Sequence, residues 1–301
     1  LAELWSIFDF LMPQYLFNYH YFQKQYENDI VKNNDEEKTK QLKKLVTPFI
    51  LRRNKKEVLT ELPDKIEQNI ILPFNDEEEK LYVANLAEAN KELQELYDLE
   101  GSDKMQILKL LTRLRQLCLE PRLVYDDIDQ PSSKLKACME LIKTMQENKQ
   151  KVLLFSSFTS VLDLIAEECQ KAGITYYMLT GSTNKEDRRE LVSRFQKDDT
   201  TVFLISLKAG GTGLNLTSAE AVIHFDPWWN VSAQNQATDR AYRIGQKNNV
   251  QVFNLVMKDS VEEKIIELQK RKKELADMFV ENNSGGLSQM SKEDILSLFT
   301  M

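Results

Sequence analysis

The chain has 301 residues, 42% hydrophobic and 29% charged, a balance that supports one large or two ordinary globular domains and excludes disorder as the leading reading. A formal net charge of −7 argues against coating nucleic acid by bulk electrostatics, so any DNA contact has to be local. No run reaches the ~18 apolar residues of a membrane span, the signal-peptide order is missing, and Cys118, Cys138 and Cys169 form no C-x-x-C pair. These features predict an intracellular protein with no membrane partner, no disulfide framework and no zinc site, its thiols serving as small core residues.

In chain order, LAELWSIFDFLMP reads as an amphipathic helix without a preceding start signal, as expected of a chain that begins inside a larger protein. The pattern stays mostly helical up to residue 130, with Ile107, Leu111, Leu114 and Cys118 on one face. Residues 1–130 are therefore expected to form a helical module, and the polar stretch Tyr125–Ser133, with Pro131, a linker. From Lys151, β-rich runs alternate with helical ones: KVLLFS, VLDLIAEECQKAG, TYYML, KEDRRELVSRFQ, VFLIS, AVIHF and VQVFNLV. This order predicts an α/β domain over 131–259, a parallel sheet with helices on both faces and ligands at the carboxyl ends of its strands. The loops to inspect follow Phe155, Leu179, Ser206 and Phe225. Residues 260–301 resume helical periodicity, broken by NNSGG before a short final helix from about Ser291.

Several chemistries are missing. No G-x-x-x-x-G-K-[ST] cradle occurs, and GSTNKEDR from Gly181 lacks the second glycine. KAGGTGLNL from Lys208 fails the G-x-G-x-x-G pattern, because Gly211 and Gly213 are followed by Leu216. The only histidines, His20 and His224, have no second ligand at metal spacing, so no resident metal is expected, and His224 within AVIHF reads as a satisfied core histidine.

What remains is a set of Gly-, Ser- and Thr-rich strand-end loops and the segment QNQATDRAYRIGQ, where Arg240 and Arg243 would share one face of a helix. Two such cations either receive an anion or lie on a solvated face with Asp239 as counter-ion.

QATDRAYRIGQ resembles the sixth helicase motif of the SWI/SNF-type ATPases, Q-A-x-D-R-x-x-R-I-G-Q, with every fixed position filled from Gln236 to Gln246. Other family-like blocks follow in the family's order: PFILRRNKKEVLTELPDKIE, LRQLCLEPRL, KVLLFSSFTSVLDLI, YMLTGSTNKEDRRELVSRF and LISLKAGGTGLNLTSAEAVIHFDPWWN. Glu120 stands where the family often has His, Ser157 where it often has Gln, and Val231 where W-N-P has Pro.

The resemblance implies the second RecA-like lobe of a double-stranded DNA translocase that remodels protein–DNA complexes. LAELWSIFDFLMP resembles the stretch after motif III, which would place the P-loop and the Walker B acid upstream. ATP and Mg²⁺ would then be bound mainly by the first lobe, a partner of this chain beside DNA and an unknown DNA-bound target. Arg240 and Arg243 would be arginine fingers, with Gln236, Gly210 and Asp239 near the nucleotide. Thr180, Gly181, Ser182, Lys208, Ala209, Trp229 and Ser156 would face DNA, with Trp228 packed inward. Arg52, Arg53, Lys55 and Lys56 would either touch DNA or brace the lobes, bracing being preferred. The resemblance leaves an RNA-helicase lobe and a catalytically silent nucleic-acid-binding or regulatory module as alternatives. A prokaryotic cytoplasm at the nucleoid is the preferred setting, the nucleus if the source is eukaryotic.

Overall fold

A computed structural model describes residues 1–33, 35–50, 62–98, 104–210 and 213–279. The run from Arg52 to Lys56, the NNSGG break and the final helix therefore lie outside the described residues. The chain divides into two compact units, residues 1–58 with 271–283, and residues 59–270 with 284–301.

The first unit is helical: α1 (Ala2–Leu11), α2 (Tyr19–Phe22) running through a π segment into α3 (Asn28–Asn33), and α4 (Glu36–Val46). Phe8, Leu16, Phe22, Tyr26, Ile30, Leu42 and Val46 form its core. Asn18 and Asp35 cap α2 and α4 by accepting from Tyr21 N and Lys38 N, which satisfies amides that the helices themselves cannot.

The second unit is a six-stranded, all-parallel sheet: β1 (Lys65–Leu72), β2 (Val152–Ser156), β3 (Tyr176–Leu179), β4 (Val202–Ser206), β5 (Ala221–His224) and β6 (Val250–Met257). Spatial order is β1-β6-β5-β2-β4-β3. The central β2, β4 and β5 are buried along their whole length, which is why their sequences are continuous apolar runs. Alternation divides their side chains between two cores. Leu154, Leu204 and Ile223 pack under α7 (Ser133–Glu147) and α8 (Thr159–Lys171). Leu153, Phe203 and Val222 pack on the other face, with Phe195 of α9 (Lys185–Phe195) and Ala237. This is the RecA-like α/β arrangement that the sequence predicts.

The expected division at residue 130 does not follow the sheet. KIEQNIIL, read as part of a helical module, is strand β1, paired in register with β6 from Lys65↔Val250 to Leu72↔Met257. Two helices do follow it, α5 (Asp76–Asp98) and α6 (Lys104–Leu119), and the predicted face of Ile107, Leu111, Leu114 and Cys118 is buried. They share a core with Val261, Ile265 and Leu268. The last three residues begin α12 (Val261–Phe279), the helix expected after Ser260.

Two ion pairs, the first wholly buried, fix these joins. Lys134 Nζ donates to both carboxylate oxygens of Glu262 at 2.7 Å, with both side chains withdrawn from water. Glu262 also accepts from Met257 N, tying the β6–α12 turn to α7. Glu120, the first departure from the family pattern, comes with its own partner: it takes two bonds from Arg122 (3.0 and 3.1 Å) and one from Ser132 N. The three cysteines are buried and free, and burial pushes their thiols up, Cys169 to about 12.

Candidate nucleotide and DNA site

From β2 the chain moves to one side of the sheet (β3, β4) and then to the other (β5, β6), so the switch point lies at the carboxyl ends of β4, β2 and β5. Three strand-end segments meet there: 156–158, the short helix α10 (Leu207–Gly210), and 225–230.

A buried polar node holds two of them. Asp226 accepts from Ser156 Oγ (2.7 Å), Ser157 N (2.9 Å), Arg115 Nη2 (2.8 Å) and the Ser157 hydroxyl. Arg115 also donates to Ser157 Oγ at 2.9 Å, and its guanidinium lies 5.0 Å from the Phe158 ring and 5.5 Å from both Trp228 and Trp229. A buried carboxylate is tolerable only when paired and bonded, and Asp226 is both. Arg115, Ser157 and Asp226 were not singled out as functional in the sequence, although each lies in a family-like block. The signal available for Asp226 was an aspartate directly after the apolar run AVIHF.

Two residues expected to face DNA lie at this node. Ser156 is 1% exposed and its hydroxyl donates to Asp226. Trp229 is 8% exposed within the core formed with α5, α6 and α12, whereas Trp228, expected to be the inward ring, packs only partly against that core. The loop geometry decides which ring turns in: Trp228 is held through its backbone, its N–H donating to Gln234 and its carbonyl accepting from Gln269. Val231 is the first residue of α11 (Val231–Thr238), capped by Asn230. Proline would suit the same position, so this departure leaves the turn intact.

The arginine segment is not helical as expected. α11 stops at Thr238, and Arg240 and Arg243 lie on the turn beyond it. Tertiary bonds overrule the helix: Thr238 Oγ1 pairs with His224 Nε2 at 2.9 Å, and Arg240 O accepts from Leu216 N. Gln246 Nε2 reaches Ala219 O and Ala241 O, while its Oε1 accepts from Lys247 N and Asn248 N. Gly245, at φ +101°, makes the turn that glycine accepts without strain.

This turn carries Arg240 to α10. Arg240 Nε donates to Gly210 O at 2.9 Å, and Arg188 donates to Ala209 O at 3.3 Å. Gly210 has to be glycine, since a Cβ there would come within 2.9 Å of the Phe155 ring. Arg240 is half-buried and Arg243 exposed. Burial, and next the Arg243 guanidinium, lower the Arg240 pKa from its usual value, with Asp239 opposing. The two cations therefore act on each other, the condition under which an incoming anion gains most. Gln236 is exposed on α11 and Asp239 half-buried at its end. Thr180, Gly181 and Ser182 form the turn after β3, with the Thr180 and Ser182 hydroxyls 2.8 Å apart. Lys208 is exposed, whereas Ala209 is buried, so the latter can serve DNA only through its backbone.

His224 is the satisfied core histidine that its apolar run predicts, stacked on Phe155 and buried, with burial lowering its pKa to about 4. Below pH ~6.5 the unfolded chain takes up a proton that the native ring refuses, so this contribution is whole above pH 6.5 and is lost down to about pH 4. Between pH 7 and 5, urea melts should show a loss of stability about 2 kcal/mol greater for the wild type than for His224→Gln. Equal losses would mean that the ring titrates normally in the fold.

Comparison with known proteins agrees with this geometry. Residues 1–123 match the SNF2-related domain family and residues 133–245 the helicase conserved C-terminal domain. The chain belongs to the SNF2-related family. It is 37% identical over 99% of its length to an uncharacterised ATP-dependent helicase of Mycoplasma pneumoniae. It is 36% identical over its whole length to the putative ATP-dependent helicase/translocase YwqA of Bacillus subtilis. It spans only 28% and 33% of those two proteins. Among solved structures it is similar to the SWI2/SNF2 ATPase core of Sulfolobus solfataricus in complex with dsDNA. That match has 32% identity and a TM-score of 0.65 over 98% of this chain and 63% of that one. The C-terminal domain of the same ATPase matches with 26% identity and a TM-score of 0.61 over 78% of this chain and 98% of that one. In this SNF2-related chain the family blocks meet at one end of the sheet, through Arg115, Asp226, Ser157, Gly210 and Arg240.

Proposed function

We propose that this chain is the C-terminal half of an ATP-driven double-stranded DNA translocase that remodels protein–DNA complexes, supplying arginine fingers to a nucleotide held mainly by a first RecA-like lobe. The observation that carries the reading is the bond from Arg240 to Gly210 O, which fixes the arginine pair beside α10 at the switch point of the sheet. The residues suit the phosphate end of a nucleotide: two interacting guanidiniums, the Gly210 backbone, and Gln236 and Asp239 on the adjoining helix end. Mg²⁺, like ATP, is assigned mainly to the first lobe. ATP supplies the phosphoryl group and water accepts it, leaving ADP and phosphate. Arg240, anchored on Gly210, holds Arg243 at the rim, where its charge stabilises the anion that develops as the γ-phosphate leaves. Asp239 restrains the mutual repulsion of the pair.

On the DNA side, Thr180, Gly181 and Ser182 offer hydroxyls and amides to one phosphate and Lys208 a charge to another. Ser156 and Trp229 support these loops from within. The dsDNA-bound relative and the translocase-like name of the Bacillus protein favour duplex DNA over RNA. No helix among the described residues is long and apolar enough to cross a membrane.

The test compares this chain with its full-length parent. Because the 301 residues contain no phosphate cradle, the isolated chain should release no phosphate from ATP above a heat-killed control, with or without duplex. The parent should hydrolyse ATP faster with duplex and displace a triplex-forming strand. Hydrolysis by the isolated chain, or a parent indifferent to duplex, would overturn the reading.

A further inference from the structure

A groove of about 740 Å³ runs between α9 and the segment 213–215, lined by Thr183, Lys185, Arg188, Arg189, Val192, Gly213, Leu214 and Asn215. Three of these side chains are cationic and none is acidic, in a chain whose net charge is −7. Two of the three carboxylates of the same helix are engaged elsewhere, Asp187 accepting from the side chain of its cap Asn184 and Glu190 pairing with Arg194, and the third, Glu186, does not line the groove. Val192 and Leu214 supply apolar surface on which long cationic stems can lie, so that the charged heads are held at the rim. Lys185 and Arg189 are exposed, and four residues apart on one helix they are neighbours. Like charges so placed repel each other, and an anion reaching both relieves that repulsion.

The groove is also continuous with the Thr180–Ser182 turn. Thr183 Oγ1 accepts from Thr180 N at 3.1 Å, so the residue at which the turn closes also lines the groove. At the other end, Arg188 donates to Ala209 O, next to Lys208. A linear polyanion lying on Thr180–Ser182 and Lys208 would meet Lys185 and Arg189 next.

We propose that this groove is a second DNA-backbone site, in which Lys185 and Arg189 each neutralise a further phosphate of one strand of the duplex. The proposal rests on the DNA reading above. Phosphate contacts position a protein without reading sequence, so the site would lengthen the track that the lobe holds through each step.

Duplex affinity of the full-length protein is measured against salt for the wild type, Lys185→Ala/Arg189→Ala and the charge-preserving Arg189→Lys, with thermal melts to check folding. The double variant is expected to lower the slope of log K against log salt by about 1.8, or 0.9 for each phosphate, and to bind on the order of 60-fold more weakly at 0.1 M salt. Arg189→Lys should keep the wild-type slope. A wild type that does not bind duplex would refute the DNA reading itself. A wild type that binds, with a double variant of unchanged slope, would refute the groove alone. Labelled oligoglutamate provides the remaining arm: if it binds the wild type and not the double variant while the duplex slope is unchanged, the groove belongs to acidic peptides and the proposal falls.

Discussion

Replacing Arg243 by alanine in the full-length protein is expected to lower duplex-stimulated kcat by on the order of 10³ or more, the loss seen when an arginine finger is withdrawn from phosphoryl transfer. The side chain is exposed at the rim of the site and carries none of the bonds that hold the turn, which run through Thr238, Gln246 and Arg240. Folding and duplex affinity should therefore hardly change. KM for ATP should move little, because the charge that Arg243 answers develops only in the transition state. Arg240→Ala is less clean, since it also frees Gly210 O. An Arg243→Ala protein that keeps its kcat and loses duplex binding would place this arginine on the DNA side.

A second large effect is expected far from the chemistry. Lys134→Met strips the cation from Glu262, whose carboxylate is buried and already has its pKa raised by burial, against the pull of Lys134. Removing one partner of a buried pair costs about 3–5 kcal/mol. Urea unfolding should show that loss as a lower midpoint at constant m. Adding Glu262→Gln should recover most of it, because a neutral amide oxygen can still accept from Met257 N. If the double variant is no more stable than Lys134→Met, the deficit comes from lost packing of the lysine stem.

The five strands from Val152 onward were legible because each is a short apolar or β-branched run between turn residues, and parallel burial makes such runs continuous. β1 was not, because KIEQNIIL is an edge strand with an exposed, charged face, and its neighbour lies far along the sequence. The arginine segment was identified correctly as a pair and wrongly as a helix: local propensity cannot see His224 and Gln246 drawing the chain into a turn. The tandem tryptophans show the same limit. One of the two had to turn inward, but the choice depends on Gln234, six residues from Trp228, and Gln269, 41 residues away, which hold the Trp228 backbone and leave Trp229 to the core, and no pattern within DPWWN shows them.

The pairing of β1 with β6 also sets an order of events on the ribosome. Lys65 emerges 185 residues before its partner Val250, the difference of their positions in the register. At about 5–20 residues per second, roughly ten to forty seconds of synthesis separate them. During that interval β2, β4 and β3 can assemble among themselves, since their partners lie within 50 residues, between Val152 and Val202. β1 has no strand to join until β6 is made. The last-made of the six described strands therefore closes this sheet by docking between β5, made shortly before it, and β1, the first made of the six, so this end of the sheet is completed last. A nascent chain arrested before Val250 would present the hydrogen-bonding edges of both β1 and β5, and recruitment of holdase chaperones should peak at that length.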